Sequence, residues 1–360
     1  MINYLSDTIT LPTAVMMEAI QQAELGDDVY GQDVTVNQLE SLAATIVGME
    51  AACFMPSGTM ANLASIMAHC PRGSKVLVGN ESDIYIYEAA GASVCGGIMY
   101  EPIQTQPDGS LLINDLQRAI PIDLDDPQFA LPSLLCLENT HNRCGGKPLS
   151  FNYLKEVRTF ADQVGISIHM DGARIFNAAV SLGVHVSEIA KYVDSLQFCL
   201  SKGLSAPVGS IVAGTKEHVD KVRRIRKMLG GGMRQAGILA APAIIALKYM
   251  TDRLIDDHRR AKQLAKGLEE VPGIEIVASD VQSNILMFKI VDERYTWQTF
   301  LQEAEHHGLI FSEMGYERIR AVIHRHISDK DIETTLSVIH RFMTEGPKGK
   351  NYTNSLASLS

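Results

Sequence analysis

Residues 195 to 214 run S-L-Q-F-C-L-S-K-G-L-S-A-P-V-G-S-I-V-A-G, an apolar segment, a lysine in a small-residue loop, and a second apolar segment. Short apolar segments closed by Gly and Pro are expected to form buried strands, here on either side of Ser201-Lys202-Gly203. A lysine between two such strands sits at the edge of a core, where partial desolvation favours the neutral, nucleophilic amine. The same lysine also fits the surface of an ordinary hairpin. Asp171 favours the core edge, because it closes another apolar run, Ile166 to Met170. A carboxylate at the C-terminal end of a buried strand faces the crevice where open α/β sheets bind ligands. A Lys that can form a Schiff base and an Asp that can hold a pyridine nitrogen protonated are the minimal protein contribution to pyridoxal 5'-phosphate chemistry.

The composition sets the frame for that pair. The chain has 360 residues, 46% of them hydrophobic, enough for one large and one smaller domain. Aromatics at 6% and 28 glycines suit packed α/β layers better than a β-sandwich. A net charge of -10 argues against a general nucleic-acid or membrane-surface role. The six cysteines form no CxxC pair and lie mostly in apolar runs, as expected of reduced thiols in a cytoplasmic protein. The start of the chain lacks a basic region followed by an apolar one, and the longest uncharged run, Ala51 to Pro71, is interrupted by Ser57, Gly58, Thr59, Asn62 and His69.

Taken in order, the chain opens with a polar arm containing Ser6, before a helix expected to begin near Thr13. Tyr30 sits in a turn-rich segment, G-D-D-V-Y-G, more often a packing or interface position than a ligand contact. Residues 51 to 55 are expected as a strand and Met60 to His69 as a helix. Between them Ser57-Gly58-Thr59 sets backbone N–H groups and two hydroxyls at a positive helix end, suited to a phosphate or to plain capping. Ser82 to Glu88 is expected to open a further helix with Asp83 as its N-cap, after a strand from Lys75 to Gly79. A strand from Leu134 to Leu137 ends in the polar cluster E-N-T-H-N. Arg174 lies close in sequence to Asp171, and a basic helix, Lys216 to Lys227, precedes Gly230-Gly231-Gly232-Met233-Arg234. After about Thr251 the pattern becomes a smaller α+β domain, in which Glu317 to His324 alternates like a strand with Arg318 and Arg320 on one face. The spacing of His306, His307, His324 and His326 matches no metal-binding pattern, so no metal is expected. The expected organisation is an arm (1–12), a large domain with a mostly parallel mixed sheet (13–250), a small C-terminal α+β domain (251–345), and a disordered tail (346–360).

Together these motifs resemble the threonine aldolases, pyridoxal-phosphate enzymes of fold type I. The matching runs include S-D-T (6–8), G-D-D-V-Y-G (26–31), P-S-G-T-M (56–60), E-N-T-H-N (138–142), D-G-A-R-I-F-N-A (171–178), C-L-S-K-G-L-S-A-P-V-G-S (199–210), R-K-M-L-G-G-G-M-R-Q-A-G (226–237) and I-R-A-V-I-H (319–324). The resemblance implies that Lys202 carries the cofactor and that Asp171 pairs with its ring nitrogen. It implies that Arg174 contacts the phenolic-oxygen side and that Ser57, Gly58 and Thr59 hold the phosphate with Arg234. It implies that Ser6 and Arg320 bind the substrate α-carboxylate with Tyr30 nearby, in a homodimer or homotetramer. The implied reaction splits a β-hydroxy-α-amino acid into glycine and an aldehyde.

Three positions depart from the family pattern. Asp83, in S-D-I-Y-I-Y-E, stands where the family has a histidine stacked on the cofactor ring. Gln128, in Q-F-A-L-P, replaces a second histidine, and Leu5 replaces an arginine. Retro-aldol cleavage needs a base for the β-hydroxyl proton, and Asp83 is the candidate here. The alternative is an amino-acid racemase of alanine type, with Lys202 on one face and Asp83 or Tyr87 on the other.

Overall fold

The computed structural model describes residues 1–347, so most of the expected tail lies outside the described residues. The chain divides into two compact units, Thr8–Ile255 and a second made of Met1–Asp7 with the residues from Asp256 onward. The first seven residues of the expected arm thus belong with the C-terminal part of the chain.

The Thr8–Ile255 unit is built on seven strands: β1 (Ala51–Met55), β2 (Lys75–Gly79), β3 (Met99–Ile103), β4 (Pro132–Glu138), β5 (Ser167–Asp171), β6 (Ser195–Cys199) and β7 (Ser210–Gly214). They lie in the order β1-β7-β6-β5-β4-β2-β3. The pairs from β6 to β3 are parallel, while β7 runs antiparallel to both β6 and β1. The two apolar runs around Lys202 are β6 and β7, paired from Ser195↔Gly214 to Cys199↔Ser210.

Side chains alternate across the sheet with the period-2 rule. Phe54, Leu77, Leu135, Ile168, Leu196 and Ile211 join one large core. Their neighbours Cys53, Met55 and Val212 join a second cluster, and Val76, Val78, Leu134 and Cys136 a third, on the other face. Burial on both faces is what a mostly parallel sheet covered by helices requires.

The helix starts follow capping chemistry. Thr13 accepts from the Met16 N–H at 3.2 Å and opens Ala14–Gln21, where a helix was expected. Ser57 does the same for Gly58–His69. The helix expected after Ser82 is only one turn, Asp83–Ile86, and its N-cap is Ser82 rather than Asp83. Ala89 and Ala90 take positive φ values of 53° and 54°, which a helix of L-residues cannot continue through.

In the other unit four strands, β8 (Ile274–Glu275), β9 (Ile285–Ile290), β10 (Ser312–Glu313) and β11 (Ile319–Val322), form an antiparallel sheet in the order β10-β11-β9-β8. Tyr4 is stitched into this unit. Its N–H donates to Ile310 O at 2.8 Å, its carbonyl accepts from the Val322 N–H at 3.0 Å, and its hydroxyl meets Thr335 at 2.7 Å. The strand around Arg320 is shorter than the alternation suggested, and Arg318 lies outside it. Arg318 Nε donates to Gly315 O, and its guanidinium stands 5.1 Å from the Tyr316 ring centre.

Candidate active site

Strand ends, the Gly58–His69 helix and the loop after β6 enclose a cavity of about 360 Å³. Its lining includes Ser57, Gly58, Thr59, Asn62, Asp83, Tyr87, Glu88, Asp171, Gln197 and Lys202. Lys202 reaches it from the β6–β7 connection. That connection is pinned because the Lys202 carbonyl accepts from Thr10 Oγ1 at 2.7 Å and from the Ser205 N–H at 2.9 Å.

Asp171, the last residue of β5, is buried and surrounded by donors. Its Oδ1 accepts from the Ala173 N–H at 3.0 Å and from Gln197 Nε2, and its Oδ2 accepts from Asn62 Nδ2 at 2.9 Å. The Gln197 amide is oriented in turn, since its Oε1 is 2.7 Å from the Ser210 hydroxyl. Burial pushes Asp171 above the usual carboxylate range, Lys202 pulls it back, and Asp83 adds to the rise.

The N-terminus of the helix Gly58–His69 borders the cavity, with Gly58 and Thr59 in its lining, and gives that side the positive end of the helix. A Cβ at Gly58 would come within 2.9 Å of Cys199 Sγ, so a larger residue there requires that thiol to shift. Ser57 accepts a hydrogen bond from the helix, which leaves its own O–H free to donate into the cavity.

Asp83 also lines the cavity and is held by a buried strap. Both oxygens of Glu138 accept backbone N–H groups, Oε2 from Asp83 and Oε1 from Asn142, each at 2.8 Å. Asn142 Nδ2 then reaches back to the Asp83 carboxylate at 3.1 and 3.3 Å. Burial first, and then the neighbouring Asp83 and Asp171, push Glu138 well above the ordinary range. Glu88 is raised well above it for the same leading reason. Tyr87 is half exposed, and its hydroxyl accepts from Arg143 Nη1 at 2.7 Å.

Lys202, Asp171, Ser57, Gly58, Thr59, Asp83 and Tyr87 are therefore brought to one cavity. Arg174 is buried at the start of Ile175–Leu182 and does not line it. Arg234 bonds to Asp27 at 2.9 Å and lies over the ring of Tyr30, which is 73% exposed; neither lines the cavity. Gln128 is exposed and bonds to Asp126. Ser6 and Arg320 belong to the other unit, where Ser6 donates to Asp7 and Arg320 to Leu5 O at 2.8 Å. The E-N-T-H-N cluster at the strand end supplies Glu138 and Asn142 of the strap, whereas Asn62, Glu88 and Gln197 are given no site role from the sequence. The signal available for two of them was polar residues inside apolar runs, Gln197 in S-L-Q-F-C and Asn62 in G-T-M-A-N-L-A.

A lysine on a loop at strand ends, a buried carboxylate ringed by three donors and a glycine-bearing helix N-terminus suit the aldehyde, ring nitrogen and phosphate of one cofactor. They define a pyridoxal 5'-phosphate-dependent enzyme of fold type I. A model of the beta-eliminating lyase family matches residues 3–291. The chain is 42% identical to low-specificity L-threonine aldolase 1 of Arabidopsis thaliana, over 94% of this chain and 95% of that one. It is 30% identical to an alanine racemase of Cochliobolus carbonum, over 97% and 90%. Among solved structures it superposes on a putative L-allo-threonine aldolase from Listeria monocytogenes with a TM-score of 0.77 at 22% identity, covering 91% and 92% of the two chains. The chain belongs to the beta-eliminating lyase family, among its threonine aldolases.

Proposed function

We propose that the protein cleaves the Cα–Cβ bond of a β-hydroxy-α-amino acid such as threonine, giving glycine and an aldehyde. The observation that carries this reading is that Lys202, Asp171 and Asp83 line one cavity. The identity with the Arabidopsis L-threonine aldolase points the same way.

The cofactor, when bound, supplies an electron sink for the carbanion left at Cα. Lys202 holds it covalently and afterwards moves a proton at Cα. Asp171 keeps the ring nitrogen protonated, with its charge supported by the Asn62, Gln197 and Ala173 donors. Ser57, Gly58 and Thr59 bind the phosphate. Asp83 takes the β-hydroxyl proton, the task for which a positioned carboxylate is suited. Asn142 and Glu138 hold Asp83 for that transfer.

The racemase reading shares this wall, with Asp83 or Tyr87 returning a proton to Cα on the face away from Lys202, and the similarity to the fungal alanine racemase supports it. An aldehyde-reductase-coupled assay with L-threonine, L-allo-threonine and L-alanine separates the two. Aldehyde release supports cleavage, whereas D-alanine formed with no aldehyde from either hydroxy amino acid overturns it.

We also propose a homodimer or homotetramer in the cytoplasm. Exposed Leu11, Val15, Met17, Ile238 and Tyr249 on and beside the contacting helices Ala14–Gln21 and Gly237–Tyr249 support assembly. Light scattering on the eluted protein tests it, and a monomer at micromolar concentration would overturn it.

A further inference from the structure

The two apolar clusters beneath the Gly58–His69 helix are separated by a polar stripe. On the strands it consists of His169 and Asp171 on β5 and Ser195 and Gln197 on β6, alternating with Ile168, Met170, Leu196 and Phe198, which face the large core. On the helix it consists of Asn62 and His69, two turns apart. His169, Ser195 and Asn62 are at most 1% exposed. Such a stripe forgoes apolar packing at the centre of the domain, and its hydrogen bonds run in one direction.

Asn62 Nδ2 lies 2.8 Å from Glu88 Oε1 and 2.9 Å from Asp171 Oδ2, so its amide nitrogen must face the two carboxyl groups. Its Oδ1 is thereby left to accept from His169 Nε2, 3.1 Å away. With the proton on Nε2, His169 Nδ1 is an acceptor and takes the Ser195 hydroxyl at 2.8 Å. The Ser195 oxygen in turn accepts from His69 Nε2, also at 2.8 Å. Each donor has one acceptor along the line, and each link fixes the orientation of the next.

We propose that His69, Ser195 and His169 form a relay of positioning residues that locks the Asn62 amide, so that Asn62 delivers its two N–H groups to Asp171 and Glu88 and keeps Asp171 the charged partner of the cofactor's ring nitrogen. The relay rests on the role given to Asp171 above. It goes beyond that role in assigning control of the ring nitrogen to side chains that do not touch the cofactor. Burial holds His169 neutral, well below its usual range, as a one-donor, one-acceptor ring requires. Burial, Asp171 and Asp83 keep Glu88 protonated more readily than an ordinary carboxyl, so the two acids sharing Asn62 need not both be charged.

The test uses apoprotein reloaded with pyridoxal phosphate carrying ¹⁵N at the ring, with cofactor affinity from absorbance titration and the ring ¹⁵N shift as readouts. Neither depends on which amino acid is cleaved. His169→Leu is expected to weaken cofactor binding by about tenfold or more, the usual size of a lost outer partner, and to move the ¹⁵N resonance toward the unprotonated pyridine value. His169→Gln, whose amide can still donate to Asn62 Oδ1, is expected to return both readouts to near wild type. Ser195→Ala removes one link with little change in volume and is expected to shift both in the same direction by a smaller amount. It serves as the deciding variant if His169→Leu does not fold. Wild-type affinity and resonance in His169→Leu, or in Ser195→Ala where that variant decides, would overturn the relay. An unchanged resonance in Asp171→Asn would instead overturn the assignment of Asp171, whatever the relay variants show.

Discussion

Asp171 and Asp83 are carboxylates on the wall of one cavity, held in different ways. Asp171 takes hydrogen bonds from a helix side chain, a strand side chain and a backbone N–H, all in regular structure or next to it. Asp83 begins a four-residue helix, and its carboxylate is held by Asn142, itself fastened through Glu138. Donors built into a sheet and a long helix give the ring-nitrogen end little freedom. A short strap gives the Asp83 end a geometry that a few substitutions could retune. On the proposed mechanism the first end sets what the cofactor can do, and the second selects which bond at Cα is broken or which proton is moved.

Lys202→Ala removes the group both ends serve. Turnover is expected to fall by about 10⁴-fold or more, with loss of the bound-cofactor absorbance, as is usual when a covalent catalyst is deleted. Asp83→Ala sharpens the contrast. It is expected to reduce aldehyde release by about 10²- to 10⁴-fold, the range for a general base, while cofactor affinity stays near wild type. A matching loss of cofactor affinity in that variant would mean that the two ends are not separable. Glu138→Gln keeps the shape of the strap but replaces an acceptor pair with one acceptor and one donor, so one backbone N–H loses its partner. A fall of about tenfold in kcat, with little change in cofactor binding, is the outcome to look for in steady-state kinetics.

The smallest expected effect concerns pH and stability. Burial lowers His69 to about 4 and holds His169 well below its usual range. An unfolded histidine titrates near 6.5, so below that pH the unfolded chain binds protons that the folded ring refuses. The stability these rings contribute is complete above about pH 6.5 and is lost as the pH falls toward the folded values. Thermal melting of apoprotein between pH 7.5 and 4.5 should show the midpoint falling with acid. His69→Gln, which retains a donor for Ser195, should flatten that fall.

Much of this architecture is legible in the sequence, for a physical reason. Short apolar runs with chemistry-bearing residues at their ends define β5, β6 and β7, and so place Asp171 and Lys202 at the edge of the sheet. The strand, the Ser57 cap and the helix start around Gly58 are legible because Ser-Gly-Thr between an apolar run and a helical one suits a helix N-terminus, though that pattern fits plain capping as well as an anion. What could not be read depends on contacts far apart in the chain. Asn62, Ser195 and His169 lie within apolar patterns, and only the crossing of helix over sheet shows that their polar atoms meet. The Glu138 strap binds residues 55 positions apart, Asp83 and Glu138, and no local spacing announces it. The helix at Asp83 is one turn although the residues through Glu88 suit a longer one, and the positive φ angles of Ala89 and Ala90, which keep it from resuming, fall on alanines that do not mark them.

The most direct test is proton NMR in heavy water with the cofactor-loaded protein and separate samples of L-threonine, L-allo-threonine and L-alanine. Glycine and acetaldehyde growing in from a hydroxy amino acid, and slowed in Asp83→Ala, is the predicted result. Loss of the alanine α-proton signal with both hydroxy amino acids left intact would contradict it.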